Sequence, residues 1–124
     1  MSKKKILIID DDPDIRDSIK AILESNDFEA NAAKDVKDGL SALNSFNPDL
    51  VLCDMMMEQI DSGTQAAQEI KKQKPHLPIY LLSSIGSATA NNIDIDQLGF
   101  NGVFQKPVVP EVLVNTIRKV LKIN

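Results

Sequence analysis

Seven residues of this chain sit where their side chains could do chemistry together. Asp10, Asp11 and Asp12 follow directly on the apolar run Ile6 to Ile9, and Asp54 closes a second apolar run, "DLVLCD". A third run, "PIYLLSS", ends in Ser83 and Ser84, and a fourth, "GVFQKP", ends in Lys106. Acids, hydroxyls and an ammonium thus occupy the same place relative to four apolar runs. Asp12 has a local job: it precedes Pro13, and an Asp before Pro at the first helical position accepts from the free amides of the first turn. Asp10 and Asp11 have no helix end of their own to satisfy. If Asp54 converges on them, three carboxylates share one crevice, where mutual repulsion demands a cation. Hard oxygen ligands with an open coordination sphere suit Mg²⁺, which keeps waters that a phosphate can displace. Taken singly, an acid pair is a solvated loop, a strand-terminal Ser a turn former and a Lys before Pro a surface cation. Their joint placement argues for a site.

The elements that must position these residues alternate. Short runs rich in Ile, Val and Leu (about Lys5 to Ile9, Phe28 to Ala33, Leu50 to Cys53, "PIYLLSS" and "GVFQ") read as strands. Between them lie stretches of helical period. Ile15, Ile19, Ile22 and Leu23 share a face over Pro13 to Ser25, and Asp35 caps a helix that runs through Leu40 and Leu43 until "NPD" stops it. A third helix covers about Gly63 to Lys74 with Ala66, Ala67 and Ile70 inward. A weak one falls within residues 87–98, and the last covers Glu111 to Leu121 with Val112, Leu113, Ile117, Val120 and Leu121 apolar. Five βα units imply a parallel sheet with helices on both faces. Ligands of such sheets bind beyond the carboxyl ends of the strands, where all the candidate residues stand.

Length and composition exclude other classes. The 124 residues, 43% hydrophobic and 26% charged, predict one domain over 1–124 with no linker, repeat or low-complexity segment. No apolar run approaches the ~20 residues of a membrane span, and "MSKKK" leads into too few apolar residues for a signal peptide, so a cytoplasmic protein without membrane contact is expected. A net charge of −4 lacks the phosphate-backbone attraction of a nucleic-acid binder, so no direct nucleic-acid partner is expected. The single Cys53 reads as a core residue of the third strand, and His76, the sole His, as a solvated turn residue.

In "IIDDDP", "LVLCD", "IYLLSS" and "QKP" the chain resembles the receiver domains of two-component response regulators over nearly its whole length. The resemblance implies the chemotaxis-regulator, flavodoxin-like fold, a doubly wound five-stranded parallel sheet of order 2-1-3-4-5 with helices on both faces. It implies Asp54 as phosphoacceptor, Asp11 as direct Mg²⁺ ligand with Asp10 as its largely water-mediated support, and the Met56 carbonyl as a further ligand. Ser83 takes the place of the hydroxyl that turns toward the phosphoryl group. Lys106 takes that of the lysine pairing with its oxygens, and the Lys106–Pro107 bond is expected cis. A histidine kinase or phosphotransfer protein is the implied donor and a downstream protein the implied target.

The chain departs from the family's pattern at "DMMMEQIDSG", where Glu58 replaces a common Pro and the loop is one residue longer. Val103 stands where the family has a rotating aromatic, and Phe104 sits one place late. The resemblance puts Met56 and Ile85 at the two variable positions that in the family flank the line of water attack on an aspartyl phosphate, and neither side chain can orient a water, so slow autodephosphorylation is expected. Other classes fit less well. A phosphohydrolase with an Asp nucleophile needs a second Asp, the general acid, where Met56 stands. A flavodoxin-type carrier needs a hydroxyl- and Gly-rich phosphate loop where this chain has three acids. The expected function is a switch, not a turnover enzyme.

Overall fold

The computed structural model describes residues 3–54, 62–84, 100–106 and 108–122, with the backbone alone given for 62–67 and 84. The expected helix within 87–98, the 55–61 loop with Met56, and Pro107 lie outside the described residues. The elements are β1 (Lys5–Ile9), α1 (Pro13–Glu24), β2 (Glu29–Ala33), α2 (Val36–Ser45), β3 (Leu50–Asp54), α3 (Ser62–Gln73), β4 (Ile79–Ser84), β5 (Gly102–Lys106) and α4 (Pro110–Val120). All strand pairs are parallel and the order is β2-β1-β3-β4-β5.

The apolar runs become central strands because both faces of a parallel sheet are covered. Leu7, Ile9, Val51, Cys53, Ile79 and Leu81 face one layer with Leu43 of α2 and Ile70 of α3. Ile6, Ile8, Leu50, Leu52, Leu82 and Phe104 face the other, with Ile19 and Leu23 of α1 and Leu113, Val114 and Ile117 of α4. Strand alternation thus divides each run between two cores. The edge strand β5 shows the half-covered version: Phe104 is inward, its ring 5.2 Å from that of Tyr80, while Val103 is exposed.

Helix boundaries follow local chemistry. The Asp12 carboxylate caps α1 by accepting from the Asp14 amide at 2.9 Å, with Pro13 at the first position. Asp35 caps α2 through the Asp38 amide at 2.8 Å, and Asn47, at φ 55°, turns the chain after it. In α4 the inward set is Leu113, Val114 and Ile117, whereas Val112 is 53% exposed. Cys53 is buried and His76 exposed, as expected. Of the inward residues expected on α3, Ile70 is buried, and the side chains of Ala66 and Ala67 lie outside the described residues.

The layering creates the crevice. After β1 the chain crosses to the α1 layer and pairs β2 on one side, and after β3 it crosses to the opposite layer through α3 and pairs β4 on the other. The helices that follow β1 and β3 thus lie on opposite faces, and between the carboxyl ends of those two strands is where sheets of this kind leave their binding gap.

Candidate functional site

Register places the acids. Ile9 pairs with Cys53, so the residues that follow, Asp10 and Asp54, leave adjacent strands side by side at the mouth of that gap. Asp10 continues the parity of Ile8, Asp54 that of Leu52 and Lys106 that of Phe104, all on the α1 and α4 side. Oxygens of Asp10, Asp11 and Asp54 lie within 4.8 Å of one another, the first and last buried and Asp11 exposed.

Each polar group of Asp10 is engaged. Its amide donates to the Ala33 carbonyl at 3.1 Å, tying the end of β1 to β2. Its Oδ1 accepts from the Asp12 amide at 2.9 Å, and its carbonyl accepts from Arg16 Nη1 at 2.8 Å. Oδ2 is buried and lies 2.9 Å from Lys106 Nζ, an ionic contact too poorly directed to count as a hydrogen bond. The same ammonium lies 3.4 Å from Asp54 Oδ1, so Lys106 spans the two buried acids.

The electrostatics match this geometry. Burial lowers the Lys106 pKa, but the close approach of Asp10 and the charges of Asp54 and Asp10 outweigh it and the net shift is upward. Beneath the acids, burial raises the pKa of the Cys53 thiol, and the Asp54 and Asp10 charges raise it further. Both acids thus disfavour a further negative charge at this end of β3.

Of the residues singled out in the sequence, the structure brings Asp10, Asp11, Asp54 and Lys106 together. Ser83 is buried at the same end of the sheet, one residue beyond Leu82, which pairs with Asp54. It has the parity of Leu81, on the face opposite to that of the acids. Met56 lies outside the described residues. Arg16 was not apparent as a site residue from spacing alone. It left a signal nonetheless: it is a lone cation among Asp10, Asp11, Asp12, Asp14 and Asp17, near a helix N-terminus where the dipole disfavours positive charge.

A buried carboxylate oxygen held by an ammonium contact alone, with two more carboxylates close by, fits a small hard dication. A family model of the response regulator receiver domain matches residues 6–118. The chain belongs to that family.

This receiver domain is 33% identical over 122 residues to a probable transcriptional regulator, ycf27, of Cyanophora paradoxa, a match covering 98% of this chain and 50% of that protein. It is 33% identical over 119 residues to the response regulator Rre1 of Synechocystis, covering 94% and 51%. The chain thus spans about half the length of these curated relatives. Among solved structures it is similar to a CheY-like receiver domain protein of Methanospirillum hungatei, with a TM-score of 0.85 and 29% identity over 98% of this chain and 95% of that one. The receiver domain of NtrX from Brucella abortus superposes with a TM-score of 0.84 at 30% identity, covering 96% and 99%. The flavodoxin-like order expected from the sequence is the order found. Receiver domains serve two-component signalling as switches, and this one has no helix, among the described residues, long and apolar enough to cross a membrane.

Proposed function

We propose that the chain, as one receiver unit over 1–124, is a phosphoryl-accepting switch in which Asp54 takes a phosphoryl group from a histidine kinase or phosphotransfer protein in a Mg²⁺-dependent reaction. One observation carries the reading: carboxylates from two strands converge at the switch point of the sheet beneath a lysine that spans the buried pair. In the transfer, an Asp54 carboxylate oxygen attacks phosphorus while the bond to the donor's histidine nitrogen breaks, and the electron pair leaves with the imidazole.

Asp10, Asp11, Asp54 and the Met56 carbonyl would hold Mg²⁺, which would supply charge neutralisation at the phosphoryl oxygens. Lys106 supplies the same from the protein side, exchanging its contact with Asp54 for one with a phosphoryl oxygen. Asp11 is the exposed member of the set, and the donor approaches the buried Asp54 from its side. A carboxylate acceptor has no proton to give up on attack, so the transfer requires no base. The pocket positions and neutralises.

Ser83 supplies the response. At rest its parity sets it with Leu81, away from the acid side of the sheet, and a hydrogen bond to the new phosphoryl oxygens draws the end of β4 toward the pocket. The readout is altered contact with a downstream protein in the cytoplasm, without direct nucleic-acid or membrane binding. The chain acts on itself at most, and Met56 and Ile85 favour slow loss of the phosphoryl group.

The test is labelling by a small acyl phosphate, followed on a phosphate-affinity gel. Label is expected with Mg²⁺ and not with a chelator, and Asp11→Ala should remove the Mg²⁺ response. Equal labelling in chelator would contradict the metal-dependent reading.

A further inference from the structure

We infer that Arg16 is the positioning residue of the acid pocket: its guanidinium, by holding the Asp10 carbonyl, sets the peptide from which Asp11 is aimed at Asp10 and Asp54. The inference rests on the reading of these acids as a cation site, and asks what keeps them in place.

Asp10 is the first residue past β1, and its amide makes the last bond from that strand to β2. Its carbonyl lies beyond the ladder and takes its bond from Arg16 Nη1 at 2.8 Å. Asp10 is fully buried with the Arg16 side chain in place, so losing that donor would remove the bond that holds the carbonyl in its orientation. A peptide group is planar, so fixing the Asp10 carbonyl also fixes the Asp11 amide and the place of the Asp11 Cα from which its side chain departs. The Asp12 amide donates to the carboxylate of the same Asp10, so its exchange reports whether the turn from Asp10 to Asp12 is held. Asp11 itself is exposed, so among the described residues little packing holds it and the place of its backbone matters the more.

The origin of Arg16 fits that task. Helical side chains lean toward the N-terminus, so a long side chain in the second turn of α1 reaches back over the first. The Arg16 amide donates to the Asp12 carbonyl at 3.0 Å, which seats the residue in the helix that Asp12 caps. One residue thus joins helix start and strand end across the acids. The guanidinium stays charged at every working pH and its donors are rigidly directed, which an ammonium cannot match.

Charge and position predict opposite signs, which makes the inference testable. By Coulomb attraction alone, removing a positive charge beside a cation site tightens a dication. Loss of an aiming contact weakens it, by about ten- to a hundredfold for the outer contacts of metal sites. Mg²⁺ binding to the full chain should be measured by calorimetry in the parent, Arg16→Ala, Arg16→Lys and Lys20→Ala, the last removing the same charge one turn further along α1. Amide hydrogen exchange of Asp12 should be followed without metal. Expected are a Kd about ten- to a hundredfold higher in Arg16→Ala, partial recovery in Arg16→Lys, no weakening in Lys20→Ala, and faster Asp12 exchange in Arg16→Ala alone. Binding as tight as the parent's, or tighter, in Arg16→Ala would overturn the inference. If Arg16→Ala does not fold, Arg16→Lys decides by the same comparison, and undiminished binding there overturns it. A parent that binds no Mg²⁺ would defeat the reading of the acids, and the exchange measurement would then decide: unchanged Asp12 exchange overturns the role of Arg16, and accelerated exchange upholds its hold on the loop.

Discussion

Lys106 Nζ lies 2.9 Å from Asp10 Oδ2, closer than its 3.4 Å to Asp54 Oδ1. The ammonium is therefore anchored on the fully buried acid and leans toward the less buried one. In this resting arrangement it offsets the repulsion that convergence of the strand ends creates.

Removing it should expose that repulsion. Lys106→Met leaves Asp10 buried beside Asp54 with no ammonium between them, and breaking a buried pair from one side costs about 3 kcal/mol. The expected result is a lower urea midpoint at neutral pH with an unchanged slope, partly recovered by Mg²⁺. An unchanged midpoint without metal would show that the acids do not depend on Lys106.

Alkaline stability should be governed first by Cys53. Burial, then the charges of Asp54 and Asp10, push its thiol pKa up from 9.0, so above pH 9.0 the unfolded chain releases a proton that the folded one keeps. Stability from this group is complete below 9.0 and is lost as pH rises toward the folded value. Lys106, raised from 10.5, acts in the same direction but later. Between pH 7 and 10 Cys53→Ala should therefore lose about 1.4 kcal/mol less than the parent, read from urea unfolding at the two pH values. Parallel losses in both proteins would assign the alkaline limb elsewhere.

The support beneath the pocket is equally tight. A Cβ at Gly39 would stand 2.5 Å from Ile9 Cδ1 and 2.9 Å from Cγ1, and Ile9 is fully buried just before Asp10. Gly39→Ala gains about 1 kcal/mol in helix propensity, yet the overlap costs about 1–3 kcal/mol, so net destabilisation is expected. Ile9→Val removes Cδ1, and the double variant should be more stable than the two single losses sum to. Additive losses would mean that α2 does not bear on β1 at this point.

Much of this was legible because few chemical alternatives existed. Four apolar strands that end in polar residues can place those residues at only one end of a parallel sheet, and the Asp12–Pro13 pair leaves little freedom over where α1 begins. The phase of α4 was harder. Val112, Leu113 and Val114 are all apolar, so periodicity does not choose among them, and packing against the α1 layer turned Val112 outward. Arg16 escaped because its partner is a backbone carbonyl six residues away, a contact that no spacing of side-chain types encodes.

The most direct measurement of the central claim is the intact mass of the protein after incubation with Mg²⁺ and a small acyl-phosphate donor, in the parent and in Asp54→Asn. Asparagine keeps the shape of the side chain and removes the nucleophilic charge. The account predicts one phosphoryl group on the parent and none on Asp54→Asn. Equal labelling of the two proteins would contradict it.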